Sequence, residues 1–254
     1  MGFLVRRRTI GSLDSRSGPQ TARICDCMSW NRVADYYLVA DLAQDLRNHG
    51  DSDHNPRHDY TALAQDVEGF IDDHKLGEVT LIGHSMGAKT AMTVALRSPH
   101  LVKNLVSVDN APVDATLGSD FAKYARGMQK IEESQVRKRS EADEILEDFE
   151  ESLPIRQFLL TNLVLSLKES PVYRFRIPLR ILASALENMA DFPFKDPDTA
   201  RYEKPALFLR GTRSRYVSDE VIPLIGRFFP RFTLKDIEAG HWLISENPDA
   251  FRTG

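Results

Sequence analysis

A serine stands between two glycines in Gly83-His84-Ser85-Met86-Gly87, directly after the apolar run Val79-Thr80-Leu81-Ile82. A serine hydroxyl is a weak nucleophile at neutral pH and needs a base within hydrogen-bond reach. It also needs exposure, which a strand turning sharply into a helix provides. Side chains in place of Gly83 or Gly87 would collide with the neighbouring strand or helix. Beyond the serine, Gly87, Ala91 and Ala95 recur at helical spacing, a stripe of small residues that lets a helix press closely on a sheet. The pattern predicts a nucleophile elbow with Ser85 as the nucleophile. The Met86 amide would then serve as an oxyanion donor.

The base should be an imidazole, which titrates near neutrality. In a strand–turn–helix site of this kind the chain order is serine, acid, histidine. Of the 7 histidines, His100 and His241 follow the elbow. His100 adjoins Pro99 at a helix end, before any acid-bearing turn. His241 follows a strand-like run, Phe232 to Ile237, and Gly240, so its loop can swing the ring over a sheet edge. His241 is therefore the expected base. His84 lies within the elbow and should point away from the serine. For the acid, Asp109 closes the next strand, Leu101 to Asp109, and is favoured. Asp219 and Glu220 are the alternatives, although acids at a helix start commonly serve as dipole partners.

The elements that must position these residues alternate between strand and helix. Trp30 to Leu46 predicts a helix, as does Tyr60 to His74, where Leu63, Val67, Phe70 and Ile71 share a face and Thr61 is a candidate cap. From about Val113 to Lys204 no strand-like run stands out. Phe121 to Phe149, Ile155 to Leu167 and Leu179 to Met189 all read as helix there. Sheet character returns at Pro205 to Gly211, and Val221 to Phe229 reads as helix, with Ser218 a candidate cap. Alternating strands and helices predict an α/β fold, a mostly parallel sheet with helices on both faces. Ligands of such sheets bind at the carboxyl ends of strands. Ser85, Asp109, the 211–220 loop and His241 each follow a predicted strand, so one edge can hold them all.

The chain has 254 residues, 42% hydrophobic and 28% charged, with a net charge of −4. This is a globular composition with no electrostatic case for nucleic acid or an anionic membrane. No apolar run approaches the ~20 residues of a membrane span. Cys25 and Cys27 form a Cys-x-Cys pair, a spacing that favours neither a disulfide nor a zinc site. Arg6, Arg7, Arg8, Arg16 and Arg23 stand against Asp14 alone near the start, among serines. That composition fits an organelle transit segment or a disordered tail. Arg6 stands where a myristoylation signal beginning at Gly2 needs Ser or Thr. The expected organisation is a basic segment over 1–27 and one α/β domain over 28–254, with a helical cap inserted at about 113–204.

Four separated stretches, Asp45-Leu46-Arg47-Asn48-His49-Gly50-Asp51-Ser52, the elbow, Val108-Asp109-Asn110-Ala111-Pro112 and Gly240-His241-Trp242, resemble the α/β-hydrolase superfamily. More narrowly they look like the abhydrolase-domain-11 group, with its mitochondrial fungal members, yeast ethanol acetyltransferases and related bacterial esterases. Many superfamily members place their acid in the loop after a later strand, where Arg215 stands here. Relatives that use the Asp after the strand following the elbow match Asp109. The family also has an early strand ending in His-Gly, which supplies a second oxyanion donor. The first 45 residues lack that motif, and a helical pattern runs where the strand before Asp45 belongs. The expected fold therefore lacks some N-terminal strands, and the usual last helix after Glu246-Asn247-Pro248 is expected to be absent. Turnover should be impaired, since losing one oxyanion donor costs about 10²–10³.

The resemblance implies a serine hydrolase that opens an ester or acyl thioester through an acyl-serine intermediate, without cofactor or metal. With an alcohol as second acceptor it would be an acyltransferase. A non-catalytic or truncated hydrolase-like protein is the third expectation. The partner is a small-molecule substrate, the chain a monomer, and the location mitochondrial or cytoplasmic.

Overall fold

A computed structural model describes residues 2–8, 39–114, 119–166 and 171–253. The chain divides into two compact units. One comprises Met1–Leu46, Tyr60–Asp114 and Phe192–Gly254, the other Arg47–Asp59 and Ala115–Asp191. In chain order the elements are β1 (Gly2–Arg8), β2 (Val39–Asp45), α1 (Tyr60–Asp73), β3 (Val79–His84), α2 (Met86–Arg97) and β4 (Val102–Val108). Then come α3 (Ser119–Ser134), α4 (Arg139–Glu147), α5 (Leu153–Leu160), β5 (Leu163–Ser166), β6 (Val172–Phe175), α6 (Leu179–Ser184) and α7 (Leu186–Ala190). The last are β7 (Ala206–Gly211), α8 (Ile222–Phe228), β8 (Phe232–Ile237), α9 (Leu243–Glu246) and α10 (Pro248–Thr253).

The first unit is built on a six-stranded sheet in the order β2-β1-β3-β4-β7-β8. β3, β4, β7 and β8 run parallel, with Ile82 opposite Val106, Val106 opposite Leu207 and Leu207 opposite Thr233. β1 is antiparallel to both β2 and β3. Apolar residues occupy both parities of the central strands, so both faces must be covered. Ile82, Val106, Val108, Leu207, Leu209 and Ile237 pack with Leu243 of α9 and with Ala250 and Phe251 of α10. On the other parity Val79, Leu81, Leu105 and Phe208 are buried, and Phe208 meets Phe229 edge-on at 5.4 Å. Each such burial contributes roughly 1.5–3 kcal/mol. α2 lies against β3 and β4, its small-residue stripe, Gly87, Ala91 and Ala95, buried.

The second unit has its own core. Met128 and Ile131 of α3, Ala142 and Leu146 of α4, and Leu159 and Leu160 of α5 close on Leu163, Phe175 and Ile177. Of the charge runs, Glu133, Arg137 and Lys138 are exposed, whereas Glu132 accepts the Phe175 N–H at 3.1 Å and the Arg139 guanidinium donates to the Leu160 and Leu163 carbonyls at 3.2 and 2.7 Å.

Several expectations are corrected. Val39–Asp45, predicted helical, is a strand, and all seven residues pair with Gly2–Arg8. Ala, Leu and Gln favour a helix locally, but the partner strand overrides that preference. The strand expected to be missing before Asp45 is thus present. Gly2–Arg8, read within the disordered or transit-like segment, is a strand as well. Cys25, Cys27 and residues 30–38 of the predicted helix lie outside the described residues. In the region read as all-helical, Leu163–Ser166 and Val172–Phe175 form an antiparallel hairpin; a short apolar run does not separate helix from strand by periodicity. The second unit also takes in 47–59 and leaves 192–204 with the sheet. Thr61 is no cap, because α1 already starts at Tyr60. A short helix, α10, does follow Asn247.

Asn48 explains part of the 45–52 motif. It is fully buried with φ 66°, a left-handed conformation that Asn tolerates better than most residues. Its side chain donates to the Asn55 carbonyl at 2.9 Å and to His58 Nδ1 at 3.1 Å, and accepts the Asn55 N–H at 2.7 Å. It knots the loop from 47 to 58.

Candidate active site

Ser85 follows the last residue of β3 and Met86 opens α2. The turn between them is as tight as the sequence requires: a Cβ on Gly83 would lie 2.2 Å from the Gly87 carbonyl oxygen. Ser85 takes φ 56° and ψ −117°, a strained geometry for a residue with a side chain. The strain is held in place from two sides. The Ser85 N–H donates to the Val108 carbonyl at 3.0 Å, which continues the β3–β4 ladder past the strand end. The Ser85 carbonyl accepts from Asn110 Nδ2 at 3.1 Å and from the Lys89 N–H at 3.2 Å.

Asp109 occupies the equivalent place one strand over. Its N–H donates to the Leu209 carbonyl at 2.8 Å, and its φ of 51° turns the chain off the end of β4. Its carboxylate is fully buried. Oδ1 accepts the Gly211 N–H at 3.1 Å, and Oδ2 accepts the Ser214 hydroxyl at 2.5 Å. A buried carboxylate stays charged at tolerable cost only with such donors.

His241 lies in the loop between β8 and α9. Its Nδ1 is 2.6 Å from Asp109 Oδ2 and its Nε2 is 2.9 Å from Ser85 Oγ. An ionised carboxylate only accepts, so Nδ1 carries the proton and the neutral ring presents a lone pair to the serine hydroxyl. Tyr216 stacks on the imidazole, centroids 4.1 Å apart and planes 26° apart. Trp242 meets it edge-on at 5.8 Å. The structure thus brings Ser85, His241 and Asp109 into one hydrogen-bonded chain at the carboxyl ends of the parallel strands.

The other sequence candidates lie elsewhere. Asp219 is exposed and bonds the Arg210 guanidinium at 2.5 Å. Glu220 is exposed, and a hydrogen bond from Ser218 holds its carboxyl below the usual range. His100 is exposed beyond the end of α2. Met86 has its amide in the first turn of α2, where N–H groups lack a partner within the helix and the dipole favours negative charge. No His-Gly pair precedes His49-Gly50. Among the described residues no cluster of three or more His, Cys, Asp or Glu could hold a metal ion, and no helix is long and apolar enough to cross a membrane.

Sequence reasoning missed Ser214, Tyr216 and Glu246. Glu246 accepts the Gly240 N–H at 2.7 Å and the Trp242 N–H at 3.3 Å, so it grips the loop on both sides of the base. The Gly240 bond, helped by Arg213, holds its carboxyl below the usual range. Glu246 had one sequence signal: an acid four residues beyond Trp242 of the Gly-His-Trp stretch.

Comparison with known proteins identifies the family of the chain. The family described as alpha/beta hydrolase fold matches residues 42–248. A probable alcohol acetyltransferase of Saccharomyces cerevisiae is 41% identical over 84% of this chain and 65% of its own length. A protein of Xenopus laevis called sn-1-specific diacylglycerol lipase ABHD11 is 40% identical over 83% of this chain and 67% of its own. The chain thus spans about two thirds of the length of these relatives. A solved structure called marine microorganism esterase superposes with a TM-score of 0.78 at 34% identity, covering 85% of this chain and 83% of that one. With the family match over residues 42–248 and relatives about 40% identical, this chain belongs to the α/β-hydrolase family, in its abhydrolase-domain-11-like group.

Proposed function

We propose that the protein is a serine hydrolase that cleaves a carboxylic ester or thioester through an acyl-serine intermediate. The observation that carries this reading is the continuous chain Ser85 Oγ, His241 Nε2, His241 Nδ1, Asp109 Oδ2, with links of 2.9 and 2.6 Å. His241 takes the hydroxyl proton as Ser85 Oγ bonds to the substrate carbonyl carbon. The carbonyl π electrons move onto oxygen, where the Met86 N–H stabilises them. Asp109 keeps the ring oriented and balances its positive charge. The tetrahedral intermediate collapses, and the leaving alcohol or thiol departs with the proton from His241. Water then enters, gives its proton to His241 and attacks the acyl carbon, and Ser85 is released.

An alcohol in place of that water would make an ester, and the name of the Saccharomyces cerevisiae relative supports keeping this second reading. Both readings share the acyl-serine and differ only in the acceptor.

A short-chain p-nitrophenyl ester assay on the wild type and Ser85→Ala tests the proposal. Serine-dependent release of nitrophenol is expected. Equal background rates in the two would reject catalysis and leave a non-catalytic member of the family. Ethyl ester formation on adding ethanol distinguishes transfer from hydrolysis.

A further inference from the structure

The loop carrying the base is fixed at three successive residues. Glu246 takes the Gly240 and Trp242 N–H groups, and between them the His241 carbonyl oxygen meets His84 Nε2 at 2.8 Å. A carbonyl only accepts, so His84 Nε2 carries the proton. His84 is the last residue of β3 and precedes Ser85 in the chain. Its ring lies 4.9 Å from the His241 ring and 5.9 Å from Trp242. One side chain therefore joins the nucleophile's backbone to the base's backbone across 157 positions of sequence.

The sheet order shows why such a tie has work to do. Ser85 leaves β3, whereas His241 leaves the loop after β8, and two strands, β4 and β7, lie between them. Strand pairing carries the backbone register from one to the other through three ladders, with the Arg213 N–H to Ala239 carbonyl bond just beyond them, and small displacements add along the way. A misplacement of about 1 Å between reacting groups costs about 10²-fold in rate. The His84 bond spans the same distance in one step.

We propose that His84 is a positioning residue for acyl transfer, its Nε2–H setting the distance between Ser85 and His241. This rests on the serine hydrolase reading and deepens it. The environment suits the task. Burial, with His241 adding to it, pushes His84 down to about 4, so the ring stays neutral at working pH. A neutral donor holds the carbonyl without placing a second cation beside the imidazolium that forms at 241.

The test compares His84→Leu, His84→Gln and His84→Asn in the full chain. Gln carries an N–H donor about as far as Nε2 reaches; Asn carries the same amide on a shorter stem and falls short. For each variant kcat, KM and Tm are measured with a short-chain p-nitrophenyl ester, together with the low-field proton NMR signal of His241 Nδ1–H. Leu and Asn are expected to lower kcat about 10- to 100-fold with KM within about twofold, and to broaden or lose the low-field signal. Gln is expected to restore kcat to within about threefold of the wild type and to keep the signal. Since Asn is polar and small, it decides the matter if Leu fails to fold. Unchanged kcat and signal in Asn, or a Gln variant as impaired as Asn at equal Tm, would overturn the proposal. Absence of Ser85-dependent turnover in the wild type overturns the hydrolase reading alone, and the NMR comparison then decides the role of His84.

Discussion

Asp109 is a buried anion whose charge is met by a peptide N–H, a hydroxyl and an imidazole N–H. Asp109→Asn keeps the shape and loses the charge that selects the Nδ1–H tautomer, so kcat should fall about 10³–10⁴-fold with little change in KM. Ser214→Ala removes one donor to a buried charged group; at about 1.5–3 kcal/mol for such a bond, a fall in kcat of about 10- to 100-fold together with a lower melting temperature is expected. Steady-state kinetics on the two variants check both figures. His84 makes stability depend on pH. Its folded pKa, about 4, lies below the ordinary value of 6.5, so between these values the unfolded chain binds the extra proton. The ring's contribution to stability is therefore retained above pH 6.5 and lost as pH falls toward 4. Melting curves of His84→Gln should show a shallower decline over that window than the wild type. At this scale the sequence was legible where chain order limits the choice. Ser85 and His241 had few rivals under the order serine, acid, histidine; that order admits Asp219 and Glu220 as well as Asp109, which stands out by closing a strand. Ser214 was not legible because Asp109 becomes its neighbour only when the strands align, and Glu246 offered no more than its nearness to residues 240–242.

Two glycines let the elements meet closely enough to place those side chains. A Cβ on Gly83 would meet the Gly87 carbonyl oxygen at 2.2 Å, and one on Gly211 would meet the Gly240 carbonyl oxygen at 2.3 Å. Gly83→Ala must separate β3 from α2 and is expected to cost about 3 kcal/mol or more, measured by urea unfolding. Gly211→Ala presses on the residue before the base and shifts the N–H that bonds Asp109. Its expected effect is a fall in kcat about 10²-fold with a smaller loss of stability. Glu246 adds an acid-side dependence at the same loop. Its folded pKa lies below its ordinary value of 4.5, so its contribution is present above that value and lost as pH falls through the folded pKa. Glu246→Gln should remove that part of the acid denaturation curve. The elbow, β4, β7 and β8 could be read from apolar runs followed by turns. β2 could not, because its residues favour a helix and only pairing with Gly2–Arg8 makes them extended. Nor could the β5–β6 hairpin, each strand of which has four residues.

The sheet unit is assembled from three separate stretches of chain, and the second unit from two. Within the second unit Arg156 is buried, bonding Asp143 at 2.8 Å and the carbonyls of Glu150 and Glu151 at 3.0 Å. Arg156→Met leaves those carbonyls without their donor. Hydrogen exchange should show lost protection in α4 and α5, with β3 and β4 keeping theirs. The α/β class was legible from the alternation of strand and helix, but the unit boundaries were not, since residues 47–59 and 192–204 carry no compositional mark of the side they join. Ser85 and Asp109 precede the excursion of residues 115–191, and His241 follows it. Among the described residues, the only backbone ladder that reconnects the two flanks is β4 with β7, four residue pairs from Leu105–Ala206 to Val108–Leu209. On the proposed function, a protease nick inside the excursion would divide the chain into one fragment holding the attacking oxygen with its carboxylate and another holding the proton carrier. Neither half is expected to turn over alone, and mixing them is expected to regain activity as that short seam and the divided core of the second unit re-form.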